Sequence, residues 1–197
     1  FQSPFTIALL SLSLITQLII IVSEYSYMDS FARMFQGLHG SENAEGAIAE
    51  FLGKCKAWIS GCNILIGIFF YGRFIERLGL NNVMLASPLF FLMVYSEWAI
   101  YDTLLIAILG LVAVDGVRFT IEDNCFNLLS KAVPQNLKSK VRLINDSFFE
   151  PIGMLFGSLL LCGLQSGSRL IGLILSAFAL VAALILRELY HKTKINC

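Results

Sequence analysis

An all-α integral membrane protein of six transmembrane helices is the fold class this sequence predicts, and three observations predict it. Of 197 residues, 57% are hydrophobic and 14% charged, where a soluble domain carries about 45–50% apolar and about 25% charged residues. The mean hydropathy is +0.76. Apolar runs of spanning or near-spanning length recur along the whole chain, and a crossing helix needs about 20 such residues.

The runs place the helices in order. The first covers residues 4–27 and the second 51–74. The third covers 82–98, with Pro88 expected to kink it. The fourth, 102–131, opens as the apolar run from Thr103 to Val114 and then turns charged. The fifth covers 141–164, with Asn145 and Asp146 expected to cap its start and Pro151 close behind. The sixth covers 168–190 and has no charge in its middle, so it reads as peripheral. Small residues mark close packing: Gly153 with Gly157 on the fifth helix, and Gly172 with Ser176 and Ala179 with Ala183 on the sixth. The segment from Met28 to Glu50 reads as an outer loop, and Gly40 to Gly46 within it as a flexible connection.

Orientation follows from the cations. Arg73 and Arg77, then Lys131, Lys138, Lys140 and Arg142, then Arg187, Lys192 and Lys194 fall on one side, which makes that side and both termini cytoplasmic. The opposite connections are acidic, with Asp29, Glu42, Glu45 and Glu50 around Arg33, and Glu97 near Asp102; Arg169 is the exception. The chain opens at Phe1 with no basic segment before its first apolar run. That is unlike a signal peptide and reads as a piece of a longer protein.

Several functions are disfavoured. A formal net charge of zero gives no electrostatic basis for a nucleic-acid partner. Cys55, Cys62, Cys125, Cys162 and Cys197 are scattered, with no C-x-x-C pair and no histidine to complete a zinc set, so no metal and no cofactor is expected. His39 and His191 lie in polar flanks, no nucleotide-binding or zinc-protease motif occurs, and no nucleophile–base pair is visible. An enzyme is therefore not expected.

The chemistry concentrates in the fourth helix. Asp115, Arg118 and Glu122 are spaced i, i+3, i+7, which puts them on one face of an α-helix. An ionisable side chain at bilayer depth costs at least about 2.5 kcal/mol and persists when it faces a cavity or a partner of opposite charge. The three read as a solute-binding face; as an internal ion-pair ladder they would pin the helix to its neighbours. Glu24, late in the first helix, and Glu150, just before Pro151, are further ionisable candidates. Asn63, inside the second helix, is placed to hydrogen-bond to another helix.

Two resemblances add to this. The stretch from Gly72 to Met84, G-R-F-I-E-R-L-G-L-N-N-V-M, resembles the signature loop of the major facilitator superfamily, with Gly72, Glu76, Arg77 and Gly79 on matching positions and Leu80 and Asn81 where the family is basic. The run from Arg118 to Gly153 is similar to the second half of the ATP/ADP translocases of plastids and intracellular bacteria: Asp123, Leu137, Lys138, Lys140, Asp146 and Gly153 match without a gap. Gly53 to Trp58 resembles that family's Gly-Lys-x-x-x-Trp, and Glu24 falls where it carries a glutamate. Phe126 stands where the family has a lysine, and Tyr27 and Met28 where it has Trp-Lys, so cations such as Arg118, Lys54 and Lys56 would have to meet phosphate charge.

The resemblances imply one half of a twelve-helix facilitator-type bundle, completed by a second six-helix half in the same chain or a second subunit. They also imply a bacterial inner membrane or plastid-type membrane, and a nucleotide or nucleotide-like metabolite as the leading substrate class. The expected function is secondary transport of a charged small solute by alternating access, with Arg118 on the anionic group, Asp115 and Glu122 holding it, and Glu24 and Glu150 as supporting polar groups. The competing expectation is a transport-inactive, transporter-like anchor for soluble domains elsewhere in the chain.

Overall fold

The computed structural model describes residues 4–39, 41–130, 135–164 and 167–195; the side chains of 39, 41–43, 78, 81, 118–123, 135–137 and 193–195 fall outside that description. The described residues form helical rods and no strand. The first rod is α1 (Pro4–His39). The second runs through α2 (Ser41–Leu65), a π-helical segment (Ile66–Phe70) and α3 (Tyr71–Leu78). The third is α4 (Leu80–Val83) and α5 (Ala86–Ile100). The fourth is α6 (Leu104–Val112), a π segment (Ala113–Glu122) and α7 (Asp123–Leu129). The fifth is α8 (Gln135–Ile144), a π segment (Asn145–Phe149) and α9 (Glu150–Gly163). The sixth is α10 (Ser168–Ile195). Among the described residues, three helices are long and apolar enough to cross a membrane: Pro4–Leu38, Ala44–Arg77 and Ser168–Lys192; Ala86–Ile100 and Leu104–Val117 are shorter apolar helices.

Helix α1 is the hub, packed by α2, α6, α9 and α10. Its grip on α9 is the Gly153–Gly157 pair. A Cβ on Gly153 would sit 2.6 Å from Gln17 Cβ, and one on Gly157 3.0 Å from Ile21 Cβ. Only hydrogen fits, so the backbones approach closely. Gly172 does the same for α10, where a Cβ would collide with the Tyr95 ring of α5. Ser176, Ala179, Ala183 and Leu186 continue that buried stripe, while Ile174, Phe178, Val181 and Ile185 face outward. One apolar core joins Ile19, Ile20, Tyr27 and Phe31 of α1 to Phe91, Tyr95, Trp98 and Leu111. A second lies at the other end, where Phe5 and Leu9 meet Val83, Met84, Leu129, Val141 and Leu186. Phe5 against Tyr190 closes that end, with ring centroids 6.1 Å apart. The rods therefore alternate in direction.

Several expected boundaries move. Helix α1 runs on to His39 and α2 starts at Ser41, so the expected loop from Met28 to Glu50 is helical on both sides of Gly40, which lies outside the described residues. Hydropathy marks the lipid-compatible part of a helix, and nothing in Met28–Leu38 breaks one. The fourth helix starts at Leu104, with Asp102 between the extended residues Tyr101 and Thr103 before it. The fifth rod begins at Gln135, so Asn145 and Asp146 cap nothing and lie in a π segment inside it. Pro151 accounts for the segment, because it takes the first turn of α9, where a missing N–H is tolerated. Pro88 likewise sits in the first turn of α5, and the third rod is interrupted just before it, at residues 84–85. Gly72 lies inside α3 and makes no turn; the reversal is made by Gly79, at φ 75°.

Candidate functional site

Polar side chains gather in three places. The first is at mid-length of the second and fourth rods. Asp115 lies in the π segment, about 16 Å along its rod from Leu104 at 1.5 Å per residue. Lys56 Nζ approaches Asp115 Oδ2 at 3.4 Å. Asn63 Nδ2 donates to the Asp115 backbone carbonyl at 2.7 Å, the cross-helix bond expected of it. Glu24 and Asp115 both act electrostatically on the Tyr27 hydroxyl, so the α1 and fourth-rod carboxylates share a neighbourhood. The backbones of Arg118 and Glu122 belong to the same π segment; their side chains lie outside the described residues. Its i→i+5 winding is wider than an α-turn, so the single face inferred from α-helical spacing does not carry over to it.

The second place is a cavity of 360 Å³ between the two apolar cores. Helix α1 supplies Ser13, Thr16 and Gln17, α5 Ser87, α7 Phe126 and Asn127, and the fifth rod Arg142, Asn145, Asp146 and Glu150. Asn145 Nδ2 lies 3.2 Å from Asp146 Oδ1 and 3.4 Å from Glu150 Oε1, donating toward both carboxylates. Thr16 turns its hydroxyl proton to the Leu12 carbonyl at 3.0 Å. Among the described residues, two enclosed acceptors have no hydrogen-bond partner, Gln17 Oε1 and Asn145 Oδ1. Glu150 thus belongs to this cavity, and Asp115 and Glu24 do not line it.

The third is a clasp at the far end of α1. Arg169 Nη2 donates to Asp102 Oδ2 at 2.6 Å, and Ser30 donates to Asp102 Oδ1 at 3.1 Å. Arg33 bridges Asp29 at 2.8 Å and Asp102 at 3.2 Å. Partial burial acts to raise the Asp102 pKa, but the Arg169 hydrogen bond and charge, helped by Ser30 and Arg33, outweigh it and hold the carboxyl below its ordinary value. Arg169, the exception to the charge asymmetry, is therefore neutralised on the spot.

In the expected signature loop, Gly72, Glu76 and Arg77 are exposed on α3 and Gly79 shapes the turn. Among the described residues, no group of three His, Cys, Asp or Glu side chains could hold a metal ion. An apolar groove of 460 Å³ lies beside the second rod, walled by Trp58, Ile66, Phe74, Val83 and Val117. Sequence reasoning did not single out Thr16, Gln17 or Asn127, and it placed Arg142 only among the cytoplasmic cations. Polar residues recurring in the first apolar run (Thr6, Ser11, Ser13, Thr16, Gln17, Ser23, Ser26) were the available signal that α1 faces protein. No family model, curated protein or solved structure matches the chain.

Proposed function

We propose that the rods cross a membrane in alternation as one half of a facilitator-type transporter, and that the protein moves a charged small solute by alternating access. One observation carries this reading: Asp115, paired with Lys56, lies about 16 Å along the fourth rod behind the unbroken apolar run from Leu104 to Val114, which is mid-depth in a slab about 30 Å thick. Charge at that depth is costly, and charged groups there mark solute and ion pathways. Asn63 fixes the backbone beside it. In this reading Arg118 meets an anionic group of the solute, Asp115 and Glu122 hold the charge balance, and Glu24 and Glu150 support from α1 and the fifth rod. A second half of like build, in the same chain or another subunit, completes the pathway. The translocase resemblance makes nucleotides the first class to try.

The test is uptake by liposomes holding the full-length protein, with labelled ATP, ADP and a panel of other charged solutes. Wild type accumulates at least one of them, and Asp115→Asn and Arg118→Ala each lower the rate about tenfold or more, the loss expected for a charge-assisted contact of about 1.5–3 kcal/mol. Wild type that accumulates nothing across the panel favours the anchor for soluble domains instead.

A further inference from the structure

The cavity between the two cores is unbalanced in its hydrogen-bonding chemistry. Among the described residues, two of its enclosed oxygens have no donor. Asn145 is 3% exposed, and its amide nitrogen is directed to Asp146 and Glu150. Carboxylates only accept, so that contact fixes which way the amide faces and leaves Oδ1 as the unpartnered atom. Gln17, 5% exposed on the opposite wall, also keeps an unpartnered oxygen. Thr16 has given its proton to its own helix, so its oxygen can only accept. Asp146, exposed at the mouth, and the half-buried Glu150, at i and i+4, add negative charge. Phe126 contributes a half-buried aromatic ring to the same wall. The one described cation of the wall, Arg142, is exposed at the rim.

We propose that this cavity is a binding site for a small organic cation presenting a protonated amine. An ammonium supplies the N–H donors that the two amide oxygens lack, and a buried acceptor without a donor carries a desolvation cost that such a ligand removes. Its charge is met by Asp146 and Glu150, and its face by the Phe126 ring. At 360 Å³ the space lies within the range of small-molecule pockets, about 300–1,000 Å³. A polyphosphate would meet two carboxylates against the one described cation, Arg142. The inference stands on this cavity alone and does not require transport.

Calorimetric titration of the full-length protein in lipid nanodiscs tests it, with 1,4-diaminobutane as the probe and ATP as its anionic counterpart. The diamine binds wild type, and ATP does not displace it. Asp146→Asn weakens the diamine about tenfold or more, as loss of a charge-assisted hydrogen bond requires. Gln17→Glu, which keeps the volume and adds a carboxylate, tightens it; a purely structural Gln17 would not produce that gain. Absence of diamine binding to wild type, displacement by ATP, or wild-type affinity in both variants would overturn the proposal. None of these results depends on solute uptake.

Discussion

The first and second rods are both long, apolar helices, and they are used in opposite ways. Half of the most apolar stretch of α1 is buried, against 6% for the second rod. Helix α1 meets glycines at backbone distance and carries serines, threonines and a glutamine inward. The second rod carries Trp58, Ile64, Ile68, Phe69, Phe70 and Phe74 outward. An unbroken apolar face of that length is foreign to soluble monomers and needs lipid or a protein partner. Apolar character alone therefore does not say what a helix faces; the small and polar residues beside it do.

The sharpest way to break this contrast is to fill a glycine on each rod. Gly153→Leu drives a side chain into Gln17 and Leu14. It should destabilise the fold by about 1–3 kcal/mol or more, the range for overpacking, read by reversible unfolding in mixed micelles. Gly61→Leu on α2 meets nothing within 4 Å and should change stability by less than about 1 kcal/mol, a helix-propensity effect. Equal losses at the two positions would remove the hub role of α1.

The clasp gives a smaller effect. Asp102 ties α1 to α10 across the fold, whereas the Glu50–Lys54 pair of the second rod lies within one exposed helix. Asp102→Asn should cost about 0.5–1 kcal/mol, because the partners are partly solvated. The depressed pKa of Asp102 sets the sign with pH. Its contribution is fully present above the unfolded carboxyl value, about pH 3.9, and is lost as pH falls further through the folded value. The mutant should lose the corresponding part of the acid sensitivity of unfolding, and an unchanged profile would remove the clasp as its source.

The smallest perturbation distinguishes what the second rod faces. Trp58 is 77% exposed and Trp98 1%. With brominated lipid, the Trp98→Phe protein, which keeps Trp58, should be quenched more strongly than Trp58→Phe. If Trp58 is spared, a protein segment and not lipid covers this rod.

Much of the helix layout was legible beforehand because apolar run length is a direct physical signal, as in Ser168–Lys192. The packing role of Gly153 and Gly157 was legible because only small residues permit such approach, and Asn63 because an amide among apolar residues needs a partner. Helix ends were not: the polar flank of α1 from Met28 stays helical, and hydropathy reports solvent preference and not backbone state. The π segments were missed because they depend on how neighbours seat a rod, as where Pro151 withholds its N–H. The cavity was half legible. Glu150 stood out by its charge, but Gln17 lies about 130 residues away in sequence and meets it only through the close α1–α9 approach.

One feature of α1 reaches further. Thr16 and Ser26 return their hydroxyl protons to carbonyls four residues back in the same helix, so neither has a proton left to give to another rod. Ser23 and Ser30 instead reach outward, to Tyr95 at 2.8 Å and Asp102 at 3.1 Å. Seven residues apart, they project from one side of the helix. They act as two teeth of a key: rotating α1 by a single residue would disengage both together, so the angular setting of the central shaft is held at two points along its length.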